Sequence, residues 1–378
     1  MKEAKKNGEV LVIIPTGSSN QLLKFLDNME VHYQLFDSKT DSKPAPTIRR
    51  KLERHRNKLK RELALIRYLK KFNFKNSIVH IDLAPWQSML ALRWLCAKTQ
   101  VFVTLHTSIL PIPISRYRLW QAKFRILTAF KSFHIFTGNQ DAKESLRTLV
   151  SNKFLDKITV TYSFINQTEI DTALKNEFNR CELCRKYNLP TDKFLVFCVG
   201  QFINRKGRWI FLEAAEKLLA QNQDMAFIWI SNSKPSDEDL KKAQNYGLGK
   251  DFILMTSDQI GEQRIDLFTL MRLAHVFALP SYLEGLPLSL LEAMALGIPS
   301  ISTNINGIPE AIKHLETGYL IEAGNSETLK NAIIELKDDI HLREKLSKNG
   351  RKFVLANFNE DVVAKIAVEK YIEAFRVK

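Results

Sequence analysis

The sequence predicts an α/β protein built from two doubly wound halves, and three observations carry that expectation. Short apolar runs of strand length alternate with amphipathic stretches of helical length along nearly the whole chain, the pattern of parallel sheets covered by helices. The same alternation restarts at Phe194 after a first pass that begins at Val10. At 378 residues the chain also exceeds the usual size of one hydrophobic core, so two domains are expected.

In the first half, residues 10–15 read as a buried strand. A loop over residues 16–20 follows, with Gly17, then a helix over 21–29 and a strand over 31–36: a Rossmann-like opening. Residues 43–75 hold thirteen Lys and Arg against two acids, a net +11 within a chain of net charge +15. Ile48, Leu52, Leu59, Leu63 and Ile66 recur there at helical spacing, giving a basic amphipathic helix. Such a helix suits an anionic membrane or an anionic lipid-linked acceptor, and equally a solvated face of a helix packed on the first domain. Nucleic acid is the weaker reading, because no DNA- or RNA-binding signature accompanies the charge.

A strand is expected at 77–82, a helix at 86–97 and a strand from 100 that ends at His106, the position where open parallel sheets carry functional groups. His80 is a lesser candidate, inside its own strand. Residues 111–131 mix Arg116, Arg118, Lys123 and Arg125 with Tyr117, Trp120 and Phe124. They read as a second contact with membrane or acceptor, or as a helix packed by its rings. Strand 133–136, helix 141–149 and strand 158–162 complete the first half.

The second half opens with a strand over 194–200 and a polar loop, Gln201 to Gly207, before a helix over 209–220. Strand 225–230, helix 236–246, strand 252–255, helix 265–273 and strand 275–279 lead to the stretch around which the chain is organised, residues 281–299. Pro287 suits a first helical position. Leu288, Leu291, Met294 and Ala295 form one apolar face, and Gly297 followed by Pro299 stops the helix. Further helices are expected at 327–336 and from 359 to about 375.

A helix amino terminus offers unpaired backbone N–H groups and a positive dipole end, which suit a phosphate. Gly285 lets a ligand approach the backbone. Glu284 and Glu292 cannot themselves favour an anion, so they are expected to accept hydrogen bonds from neutral hydroxyls on either side of it. That combination describes a nucleotide-sugar site.

The run Glu284-Gly285 through Glu292-Ala293-x-Ala295-x-Gly297-x-Pro299 resembles the signature of the retaining glycosyltransferases of family 4. The resemblance implies the GT-B fold, two Rossmann-like domains facing across a cleft. It implies boundaries at 1–168 for an acceptor domain, 169–356 for a donor domain and 357–378 for a helix crossing back to the first. Lys206-Gly207 match the family's phosphate-clamping loop, with Gln201 where an arginine is usual and Arg205 as the residue that compensates. His106 matches a strand-end histidine beside the transferred sugar. Gly17 stands alone where the family has a glycine pair, and the linker 163–166 matches poorly. The implied donor-binding set is Gly17, Gln201, Arg205, Lys206, Glu284, Gly285, Leu286 and Glu292, with His106 and Glu284 nearest the reacting carbon.

The resemblance implies a retaining, metal-independent transfer from a nucleotide-diphosphate-sugar, with no other cofactor, to a glycan or lipid-linked hydroxyl in polysaccharide, lipopolysaccharide or glycolipid synthesis. An epimerase of the same fold and a non-catalytic partner subunit are the rivals. Asp237-Glu238-Asp239 reads as a helix cap rather than a metal site, and Cys181-x-x-Cys184 lacks the second pair or histidine that zinc requires. A 45% apolar, 26% charged composition is that of a soluble globular chain. With no leader-like start and no apolar run of about 18 residues, a cytoplasmic protein is expected, peripheral on the inner membrane face if the basic segment docks there.

Overall fold

Twelve parallel strands carry the architecture of the computed structural model, which describes residues 1–37, 48–82, 88–110, 112–221, 223–261 and 263–376. Residues 43–47 of the basic segment, the side chains of Ile48 and Leu52, Trp86 and Pro111 lie outside the described residues. The strands are β1 (Leu11–Pro15), β2 (His32–Phe36), β3 (Ile78–Ile81), β4 (Gln100–Leu105), β5 (Phe133–Thr137) and β6 (Thr159–Val160) in the first half. The second half holds β7 (Phe194–Val199), β8 (Met225–Ser231), β9 (Phe252–Thr256), β10 (Val276–Leu279), β11 (Ser300–Thr303) and β12 (Tyr319–Ile321).

The second domain is a six-stranded sheet of order β12-β11-β10-β7-β8-β9, with the order reversing beside β7. Its central strands are buried on both faces, which is why they read as unbroken apolar runs. One continuous core extends from Ile165 to Phe358, with Trp229 and Phe211 packed edge to face inside it. Cys184 is part of this core while Cys181 is exposed.

The first domain is a four-stranded sheet, β3-β4-β5-β6, with a core from Leu69 to Ile158. Its Rossmann-like opening differs from expectation: β1 and β2 pair with each other in a separate two-stranded sheet. They close over a small cluster of Ile14, Leu26 and Val31, and only Ile13 reaches the main core. The expected helix at 141–149 shrinks to Gln140–Glu144 followed by turns, and the strand at 158–162 to Thr159–Val160.

The basic helix, Ile48–Leu69, packs through a different face from the one its spacing suggests. Leu59 and Leu63 are exposed, whereas Glu62 and Leu69 are buried. Glu62 accepts the Leu90 N–H at 2.6 Å, at the start of the helix Met89–Cys96. A carboxylate there satisfies an otherwise orphan donor, and that bond sets the rotation of the helix.

The chain crosses between domains twice, and the two crossings are tied together. Ile165 N–H donates to Phe358 carbonyl at 2.8 Å and Glu360 N–H to Ile165 carbonyl at 3.1 Å. The closing helix, Glu360–Arg376, then runs back onto the first sheet, where Tyr371 lies against Phe102 and Phe136.

Candidate active site

After β7 the chain makes a single tight turn, Asn204–Lys206, ended by Gly207 in the left-handed region at φ 74°. A Cβ there would collide with the Pro280 carbonyl, so only glycine permits the turn. The turn folds the Lys206 stem back over Gly200, where a Cβ would lie in van der Waals contact with it, and into the loop after β10. Lys206 Nζ sits 2.6 Å from Glu284 Oε1, which also accepts the Ser281 hydroxyl at 2.7 Å. Both charges are enclosed, with side-chain exposures of 12% and 6%. Arg205 donates to the Leu283 carbonyl at 2.9 Å and stands 3.4 Å from Glu284 Oε2. It therefore braces the loop rather than pointing into open solvent.

The helix that follows, Leu288–Ala295, starts one residue later than expected. Pro287 is its extended N-cap at ψ 122°, and Leu288 is 45% exposed instead of joining the apolar face. Leu286 is buried in the second core, so only its backbone can meet a ligand. Glu292 is enclosed too, and its carboxylate meets Arg264 at the start of the helix Arg264–Met271. Arg264 continues to Glu169 at 3.1 Å. Burial pushes the Glu292 carboxyl up to about 7, against the opposing pull of Arg264.

The first domain meets this site through its backbone. His106, after β4, places its carbonyl where a Cβ on Gly285 would have to go, and a Cβ on Gly307 would collide with the Gly285 carbonyl. Asn139 donates to the His106 carbonyl at 3.4 Å. Asn306 donates to Asp141 at 3.1 Å, and Glu310 accepts the N–H groups of Gln140 and Asp141 at 2.8 to 3.2 Å, capping a helix of the other domain. Four of the expected residues, His106, Lys206, Glu284 and Gly285, thus converge where the domains touch.

The His106 imidazole is paired with Asp82, Nε2 to Oδ1 2.6 Å, a partner that strand periodicity alone does not single out. Asp82 follows β3 and His106 follows β4, whose register pairs Ile81 with Val103. Two polar residues closing adjacent strands were the signal available. The hydrogen bond that His106 donates to Asp82 raises the His106 pKa, and the same bond lowers that of Asp82. Because the raised group stays protonated to higher pH, Asp82→Asn is expected to move the His106 titration toward acid. NMR titration of the imidazole checks this; coincident curves would show that the pair does not form in solution. His80, by contrast, is bonded to Thr104 at 2.7 Å and to the Tyr371 hydroxyl of the closing helix, and these two bonds hold its ring although the residue stays exposed on β3.

Two expected residues stand apart from this cluster. Gln201 is exposed. Gly17, at φ 91°, lies on the exposed loop after β1 with no atom within 4 Å of its missing Cβ. Asp239 belongs to a helix start capped by Ser236 and pairs with Arg208 at 2.7 Å.

Two Rossmann-like domains meeting over an enclosed lysine-carboxylate pair define a GT-B chain. Residues 179–353 match the family described as Glycosyl transferases group 1. The chain is 31% identical over 173 residues to UDP-Gal:alpha-D-GlcNAc-diphosphoundecaprenol alpha-1,3-galactosyltransferase of Escherichia coli, covering 45% of this chain and 43% of that one. It is 34% identical over 232 residues to N-acetyl-alpha-D-glucosaminyl L-malate synthase of Bacillus anthracis, covering 57% and 59%. The chain thus spans about half the length of these curated relatives. In fold it is similar to a glycosyltransferase from Rickettsia africae ESF-5, with TM-score 0.77, 21% identity and coverage of 100% and 94%. It is also similar to Anabaena Alr3699/HepE in complex with UDP-glucose, with TM-score 0.71, 14% identity and coverage of 98% and 93%.

Proposed function

We propose that this protein is a retaining glycosyltransferase that moves a sugar from a nucleotide-diphosphate-sugar to the hydroxyl of a glycan or lipid-linked acceptor. The observation that carries the reading is the enclosed Lys206–Glu284 pair beside Gly285, where the two domains touch. Lysine carries three donors, so Lys206 keeps Glu284 and still offers hydrogen to a departing diphosphate. Fixed positive groups aimed at charge that grows in the transition state contribute more to rate than any other single effect in many such transfers. Lys206 supplies that charge from the protein, and no metal is assigned. Glu284 orients the sugar hydroxyls, Glu292 the ribose, and His106 the sugar from the opposite domain. In the proposed front-face substitution the sugar–phosphate bond breaks as the acceptor oxygen bonds to the same carbon, and the leaving phosphate takes the acceptor proton.

The relatives' names support a polysaccharide or glycolipid role without setting the base, since one uses UDP-Gal and another is GDP-mannose-dependent. Among the described residues no helix is long and apolar enough to cross a membrane. A peripheral contact draws support from the exposed Leu59 and Leu63, and from Ile114 and Leu119, each set among Lys and Arg.

A panel of UDP-, GDP- and ADP-sugars tests the proposal by thermal unfolding. At a hundredfold excess over Kd the true donor is expected to raise the midpoint by about 3–8 °C, and Glu292→Ala to lose most of that rise. A midpoint indifferent to every sugar nucleotide would overturn the reading. Donor isomerised without acceptor would replace it by epimerisation.

A further inference from the structure

Resting on the nucleotide-sugar reading, we propose that Arg264 is a positioning residue for nucleotide recognition: it holds Glu292 as a carboxylate able to accept both vicinal hydroxyls of the ribose. Glu292 lies in an enclosed place, 7% exposed, while the Arg264 side chain over it is 55% exposed. Such an acid is driven toward its neutral form by loss of water. A neutral carboxyl presents one of its oxygens as a donor, and a pair of hydroxyl donors then finds a single good acceptor.

The charges around Glu292 come from a small set of elements. Arg264 approaches from its own helix, across the ring of Phe268, and Glu169 lies on its far side from the helix Gln167–Lys175. Arg351, from the helix Ile340–Asn357, is committed to the Ala295 carbonyl at the other end of the Glu292 helix and to Asp171 at 3.8 Å. Arg205 and Lys206 face Glu284. Among the described residues Arg264 is therefore the cation that meets Glu292 directly, and Glu169 competes for it. Burial leaves the Glu292 carboxyl near 7 even with Arg264 present, so the removal of Arg264 moves its ionisation above neutrality. Because Arg264 is more than half exposed, its replacement disturbs little packing.

The test measures dissociation constants by calorimetry from about pH 6 to about pH 9, using the sugar nucleotide that gives the largest thermal shift. Its pyrophosphate diester has no proton to lose near neutrality, and a Glu292→Gln control over the same range subtracts the ionisation of the base and of His106, so the difference between the profiles reports Glu292. Wild-type affinity is expected to strengthen as pH rises through the Glu292 transition. In Arg264→Gln that rise is expected to move up by about one unit or more, with roughly tenfold weaker binding at neutral pH that recovers at the alkaline end. Arg264→Lys is expected to stay near wild type. An Arg264→Gln profile superimposable on wild type, or weakened equally at every pH, would overturn the role. Wild-type protein that binds no sugar nucleotide overturns the donor reading itself, and this role with it.

Discussion

Gly285→Ala is expected to leave both domains folded and to lower turnover about 100-fold. The backbone of Gly285 is not in the left-handed region, so alanine meets no conformational obstacle there. The obstacle is the other domain, because the new methyl group would occupy the place of the His106 carbonyl oxygen. The two domains relieve the overlap by separating, and with them His106 moves away from Lys206 and Glu284. A displacement on the order of 1 Å between reacting groups costs about 100-fold in rate. The expected signature is a thermal midpoint close to wild type and a lowered kcat with acceptor. Unchanged kcat would show that this contact does not belong to the reacting state. Gly207 makes the informative contrast, since its alanine variant meets both a left-handed backbone and the Pro280 carbonyl inside one domain. That substitution is expected to lower the midpoint as well.

What the sequence made legible follows from locality. The central strands of the second sheet, β7, β8 and β10, are apolar runs, and the turn, Gly285 and the helix stop at Gly297 are all specified within a few neighbouring residues. Asp82, Arg264 and Glu310 were not legible as site residues, because each acts through a partner brought close only by the fold: His106, Glu292, and the amides of Gln140 and Asp141. The face by which the basic helix packs was not legible for the same reason. Its apolar stripe suggested one face, but the acceptor needed by the Leu90 N–H lies at Glu62 on another. The opening strands failed differently: β1 has the composition of a buried strand, yet Leu11 is exposed and its pairing ends at β2. The bond from Arg205 to the Leu283 carbonyl was equally invisible, because its acceptor is brought close only by the fold.

Lys206→Met tests the pair on which the proposed chemistry depends, and its cost is expected to appear in stability as well as in rate. Methionine keeps the length and apolar stem that lie along Gly200 but removes the charge, leaving Glu284 enclosed with the Ser281 hydroxyl and Arg205 at 3.4 Å. Removing one partner of a buried pair costs about 3–5 kcal/mol, and the second domain is expected to bear it. Loss of a fixed positive group at the leaving diphosphate is expected to lower turnover by about 100- to 1000-fold. A second substitution separates the two effects. Lys206→Met with Glu284→Gln leaves no enclosed charge stranded, since Arg205, which loses Glu284, reaches solvent and keeps the Leu283 carbonyl, so its midpoint is expected to return most of the way to wild type. Its turnover is expected to stay low, since neither the cation nor the acceptor carboxylate is restored. Recovery of turnover together with stability would show that Lys206 serves the fold alone, and the diphosphate would then have to be held by other groups.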